Sequence, residues 1–178
     1  EASAFYARDN VTFAHNPKSN LKLGSGVAPL PAFLKAGVRV ALGTDGAASN
    51  NRLDIWDELR FAALTQKGIV KDPTLVASVE AFRMATVNGA IGLGFRNVGL
   101  IREGYRADMI LIDLDRPHYV GWDSENLPGF LVYAGSSSDV RGTVVAGKML
   151  YKDGDFVFTD RERIITEATE ARRKLTGR

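Results

Sequence analysis

The stretch Val38–Asn51, VRVALGTDGAASNN, decides how the rest of the chain is read. Its first five residues are apolar except for Arg39 and predict a short strand. The glycine-, serine- and asparagine-rich residues that follow leave one carboxylate, Asp45, at the tip of that strand. An Asp-Gly pair after a strand usually folds the chain back into a hairpin. Here the next segment is LDIWDELRFAALTQKG, with Leu53, Trp56, Leu59, Ala63 and Leu64 at helical spacing and a stop near Gly68. A helix therefore follows, not a returning strand. The pattern leaves two roles open for Asp45: a structural Asx turn, or a ligand and proton acceptor.

Upstream, NVTFAHN (Asn10–Asn16) predicts another strand, stopped by Pro17. NPKSNLKLGSGVAP is polar and turn-rich and is expected to be a loop. LPAFLKAG (Leu30–Gly37) has helical spacing with Gly37 as its stop. Residues 10–68 thus read strand, helix, strand, helix, the alternation of a parallel α/β sheet. Such sheets collect functional side chains at the carboxyl ends of their strands. His15, Lys18, Ser19 and Asn20 after the first strand, and Asp45 and Ser49 after the second, are expected on one rim.

SVEAFRMATVNGAIGLG predicts one further helix, capped by Ser78 and closed near Gly92 or Gly94. Beyond Asn97 the pattern shifts to short strands: ADMILIDLD, FLVYAG and DVRGTVVAGKMLYKDGDFVF. Lys152–Asp155, KDGD, marks a hairpin turn. The charged segment DRERIITEATEARRKL predicts a final helix.

The 178 residues are 45% hydrophobic and 25% charged, with a net charge of +2. The cations are scattered and form no stripe for neutralising phosphates, which argues against a nucleic-acid partner. No apolar run approaches the roughly 18 residues that span a bilayer, so no membrane segment is expected. With no cysteine, disulfide and thiolate chemistry are excluded, and a reducing, cytoplasmic setting is expected. No GxGxxG in a strand-turn-helix setting, no P-loop and no GxSxG is present. A catalytic zinc takes three or four side chains, mostly His or Cys with a carboxylate. Two histidines and no cysteine cannot complete such a site, so further ligands must come from elsewhere. The first residue is Glu1, and ASAFYARDN reads as the tail of a helix, which is expected of a piece of a longer chain.

AHNPKSNLKLGSGVAPLPAFLKAGVRVALGTDGAASNN, LDIWDELRFAAL, MATVNGAIGLG and GLIREGYRADMILIDLDRP together resemble the amidohydrolase superfamily. Within it, they are most similar to the branch of 5-methylthioadenosine/S-adenosylhomocysteine deaminases and triazine chlorohydrolases. The resemblance implies an α/β fold that is the C-terminal part of a (β/α)₈ TIM-type barrel, strands 7 and 8 with their helices. A C-terminal part of a composite β-sandwich follows. Residues 1–95 would belong to the barrel, and residues 96–178 to the sandwich and terminal helix. Asp45 matches the family's metal-binding and proton-handling aspartate after strand 8. The family's other ligands, a His-x-His pair and a further histidine, have no counterpart here. His15 and Ser49 are expected near the substrate, by position on the rim.

The implied cofactor is a divalent metal, zinc or in some relatives iron, which activates water toward a heterocyclic amidine carbon. The implied reaction is hydrolytic deamination of adenine-type nucleosides. One alternative is hydrolysis of an s-triazine or another cyclic amidine, of the N-ethylammeline or atrazine chlorohydrolase type. Another is a non-catalytic folding or interaction module. The partners implied are a purine nucleoside or triazine-like molecule, the missing N-terminal part of the same enzyme, and copies of the chain itself (a homo-oligomer). Alone, these residues are expected to be inactive, and the apolar side chains of Leu53, Trp56 and Leu59 to lie open.

Overall fold

The computed structural model describes residues 11–177. The helix tail read in ASAFYARDN lies outside them. The chain divides into two compact units. One takes in the described residues up to Tyr105 together with Leu114–Ser137; the other is Arg106–Asp113 with the residues from Ser138 onward. Among the described residues, no helix is long and apolar enough to cross a membrane.

In the first unit, β1 (Phe13–His15) and β2 (Val40–Leu42) pair in parallel, Phe13 opposite Val40 and His15 opposite Leu42. A parallel pair needs a crossover, and two helices supply it: α1 (Pro17–Leu23) and α2 (Leu30–Lys35). The loop expected over Asn16–Pro29 is thereby corrected over Pro17–Leu23 and holds over residues 24–29. Pro17 stops the strand but also starts a helix, because its fixed φ suits the first helical position and it has no N–H to leave unpaired. Gly24, at φ 67°, ends α1 in the left-handed conformation glycine adopts without strain. Gly37, at φ 75°, follows α2 as expected.

After Asp45 comes a single helical turn, α3 (Ala47–Asn50), then the long α4 (Ile55–Val70). Asp54 caps α4 by accepting the Trp56 N–H at 2.9 Å, and its other oxygen accepts from Ser137 Oγ at 2.7 Å. The buried face of α4 is Trp56, Leu59, Ala62 and Ala63, with Glu58 and Gln66 beside them. Two of the expected apolar positions are corrected: Leu53, 62% exposed, precedes the cap, and Leu64, 48% exposed, lies off the stripe. Of the three side chains expected to lie open, Leu53 does, whereas Trp56 and Leu59 are buried. Leu59 joins a core with Leu30, Val40, Met84 and Val132, and Trp56 Nε1 donates to the Leu131 carbonyl at 2.6 Å.

The single helix expected over 78–94 is two, α5 (Ser78–Ala85) and α6 (Val87–Gly92). They part at Thr86, φ −123° and ψ −96°, whose Oγ1 takes up the Phe82 carbonyl at 2.7 Å. The cap position is Ala77, whose N–H donates to Glu80 Oε2 at 2.8 Å, so Ser78 is already helical. FLVYAG, read as a strand, instead lies largely in α7 (Leu127–Tyr133). A short apolar run does not by itself distinguish the two. Pro128 in the first turn and the burial of Leu131 and Val132 in helix-to-helix packing select the helix.

The second unit is a four-stranded antiparallel sheet in chain order: β3 (Met109–Ile112), β4 (Val140–Val145), β5 (Lys148–Lys152) and β6 (Asp155–Phe156). The expected hairpin sits at Asp153 and Gly154, both at positive φ, with Lys152 opposite Asp155. α8 (Arg161–Thr176) closes the unit, capped by Asp160, which accepts the Glu162 and Arg163 N–H groups.

Candidate functional site

The carboxyl ends of β1 and β2 lie side by side: the Gly43 N–H donates to the His15 carbonyl at 3.0 Å, extending the ladder one residue past Leu42. A Cβ at Gly43 would fall 2.5 Å from Asn16 Oδ1, so a larger residue there would require the Asn16 side chain to move. Two residues on, Asp45 takes φ 60°, a left-handed conformation that Asp tolerates better than most residues. Its side chain is exposed.

Two hydroxyls converge on one oxygen of that side chain. Ser19 Oγ, from α1, donates to Asp45 Oδ2 at 2.7 Å, and Ser49 Oγ, from α3, donates to the same atom at 2.6 Å. Ser49 Oγ is also 3.0 Å from the Gly46 carbonyl. These bonds, Ser49 first, then Ser19 and then the Gly46 N–H, hold the Asp45 carboxyl below the usual carboxylate range. It is therefore ionised at neutral pH, the form that both a cation and a transferable proton require.

Beneath lies a polar floor. Glu58, fully buried on α4, accepts the Lys18 N–H on Oε2 at 3.1 Å and Asn50 Nδ2 on Oε1 at 2.6 Å. The same Asn50 amide nitrogen reaches the Thr44 carbonyl at 2.6 Å. Burial pushes the Glu58 carboxyl up, against the downward pull of the Lys18 N–H, the Asn50 amide and the Lys18 charge. The Lys18 ammonium itself pairs with Asp57 at 2.7 Å.

His15 is placed differently from Asp45. Its imidazole is 2% exposed, and neither ring nitrogen has a hydrogen-bond partner among the described residues. It lines a cavity of about 10 Å³ with Pro17, Asn20 and Gln66 among its neighbours. Desolvation pushes its pKa down to about 4, so the ring is neutral at pH 7.

The structure thus brings Asp45, Ser49 and Ser19 into mutual contact and sets His15 on the adjoining strand end, without a bond to them. Sequence reasoning missed Glu58. The available signal was a charged residue beside Leu59 and one turn before Ala62, on the face otherwise given to apolar side chains. Among the described residues, no three His, Cys, Asp or Glu side chains cluster as a metal site. The ionised, exposed Asp45 carboxylate, with Oδ2 pinned by two hydroxyls, fits the part of a single carboxylate ligand to a divalent cation.

A model of the amidohydrolase family matches residues 3–150. The chain is 50% identical over 158 residues to a 5-methylthioadenosine/S-adenosylhomocysteine deaminase of Dictyoglomus thermophilum, covering 89% of this chain and 37% of that protein. It is 44% identical over 168 residues to a 5'-deoxyadenosine deaminase of Methanosarcina mazei, covering 94% and 38%. Among solved structures, a zinc-bound adenosine deaminase from Xanthomonas campestris superposes with a TM-score of 0.93 at 32% identity, over 99% of this chain and 40% of that one. A zinc-complexed atrazine chlorohydrolase from Arthrobacter aurescens gives 0.84 at 32% identity, over 94% and 37%. The chain spans well under half the length of each of these proteins.

Proposed function

The chain belongs to the amidohydrolase family, and from that premise we propose that it supplies the C-terminal part of a metal-dependent aminohydrolase that deaminates adenine-type nucleosides in the cytoplasm. Residues 1–95 are the last part of a (β/α)₈ barrel, and residues 96–178 the sandwich portion with its terminal helix. Leu114–Ser137 reaches back to pack with the α/β unit. The rest of the barrel, with its histidine ligands, lies outside this chain.

One observation carries the reading: a single ionised carboxylate stands at the carboxyl end of the second of two parallel strands, with two serine hydroxyls fixed on its Oδ2. Strand carboxyl ends are where barrel enzymes place their chemistry. When bound, a divalent metal supplies the Lewis acid that brings the pKa of a water toward neutrality. The residues of this chain do the rest that falls to them. Asp45 is one ligand and the acceptor of the proton released from water; its depressed pKa keeps it ready in the charged form. Ser19 and Ser49 fix the carboxylate, so that one oxygen is held and the group cannot swing with the loop. Ser49 lies toward the substrate; His15, buried on the adjoining strand end, does not face it, and its neutral ring adds no charge there.

In the full-length enzyme, Asp45→Asn keeps the side-chain volume but loses the negative charge. It is expected to lose turnover of 5-methylthioadenosine and to lower zinc content while the fold persists. Wild-type rate together with wild-type zinc content would refute the assignment. The similarity to atrazine chlorohydrolase and triazine hydrolase structures favours a second reading, s-triazine hydrolysis at the same site. Parallel assays with 5-methylthioadenosine and atrazine separate the two.

A further inference from the structure

We propose that Glu58 is the positioning residue for Asp45, setting that carboxylate through two arms that meet again on Asp45 Oδ2; the inference rests on Asp45 being a metal ligand. The first arm runs through α1. Asn16, the cap residue of α1, makes no side-chain cap bond, and the Lys18 N–H in the first turn would lack an acceptor. Glu58 Oε2 provides one from 40 residues away, at 3.1 Å. The next residue is Ser19, 2% exposed, which donates to Asp45 Oδ2 at 2.7 Å.

The second arm runs through α3. Glu58 Oε1 accepts from Asn50 Nδ2, which also holds the carbonyl of Thr44, the residue before Asp45. The residue before Asn50 is Ser49, the other donor to Asp45 Oδ2, at 2.6 Å. Each hydroxyl that fixes Asp45 is therefore the chain neighbour of a group anchored on Glu58.

Chemistry explains why this residue is a carboxylate. Burying one is costly and rare unless it is paired. Here the nearby ammonium of Lys18 is engaged by Asp57. Both groups that bond to the Glu58 oxygens are donors, so the position needs two acceptors. Glutamine offers one acceptor and one donor and would set an NH₂ against an N–H on one arm. A side chain present only to fill space would not need the charge. One present to hold two loops in register with a metal ligand would.

The test is Glu58→Gln in the full-length zinc enzyme, read as kcat and KM for 5-methylthioadenosine, zinc retention against a chelator, and urea unfolding. We expect kcat and zinc affinity per folded molecule to fall about 10–100-fold, as losing support for a metal ligand typically does, with KM little changed. Ser19→Ala is expected to fall in the same range, and the double variant to lose less than the product of the two, because both act on one carboxylate. Wild-type kcat and zinc affinity in Glu58→Gln, with only lowered urea resistance, would overturn the proposal. So would losses that simply multiply. If Glu58→Gln does not fold, Asn50→Ala and Ser19→Ala carry the test, and wild-type kinetics in both overturn it. A wild-type enzyme that neither holds zinc nor deaminates removes the underlying reading and this inference together. Failure of the Glu58 role alone instead leaves an active zinc enzyme that Asp45→Asn still disables.

Discussion

Lowering the pH should destabilise this protein through His15, and the size of the effect follows from its burial. The ring is 2% exposed, and desolvation takes its pKa from 6.5 to about 4. Between those values the unfolded chain binds a proton that the folded protein refuses, so stability falls as pH drops through the window and levels off below it. At about 1.4 kcal/mol per pKa unit, the depression is worth about 3 kcal/mol. Other groups titrate nearby: Asp45 and Asp72 are depressed and lose stabilising charge in acid, while Glu58 is raised and acts in the opposite sense. The comparison that isolates His15 is wild type against His15→Leu, each unfolded in urea from about pH 7 to about pH 4. Wild-type stability should decline by about 3 kcal/mol more than that of the variant over this range. Parallel profiles would show that the imidazole is protonated in place, and the argument from burial would be wrong.

Gly135→Ala should cost about 1–3 kcal/mol, because its new Cβ would lie 2.5 Å from the Leu131 carbonyl oxygen, 2.8 Å from Tyr119 Oη and 2.9 Å from Trp56 Nε1; an unchanged urea midpoint would contradict that crowding. Asp54→Ala removes the α4 cap and the acceptor of the Ser137 hydroxyl, with an expected loss of about 1–2 kcal/mol by thermal or urea unfolding. A loss near zero would mean that solvent or another side chain caps the helix equally well. The purified 178-residue chain, lacking the remaining ligands, should show no deamination of 5-methylthioadenosine above background; measurable turnover would refute the division of the site proposed here.

Much of the local structure was legible because local chemistry sets it. β-Branched and aromatic residues before Pro17 marked β1, an apolar run marked β2, glycine marked the stop after α2, and Asp153-Gly154 marked the hairpin between β5 and β6. Asp45 stood out for the same reason, a lone carboxylate between a strand and a helix. The errors fell where a partner distant in sequence decides the outcome. NPKSNLKL looks like a loop until Glu58 supplies its missing cap. FLVYAG looks like a strand until Leu131 and Val132 are buried in packing against α4 and α5.

The sequence by itself determined the order of most elements, the parallel α/β character of the first unit, and the residue at its rim that carries charge. All of these depend on spacing and residue type within a dozen positions. Only the tertiary structure decided which oxygen of Asp45 is held, by which two serines, and that a buried glutamate lies beneath both. The Ser19–Asp45 and Lys18–Glu58 contacts join residues 26 and 40 positions apart, and even the nearer Ser49–Asp45 and Asn50–Glu58 bonds depend on distance and direction in space, which no local pattern records.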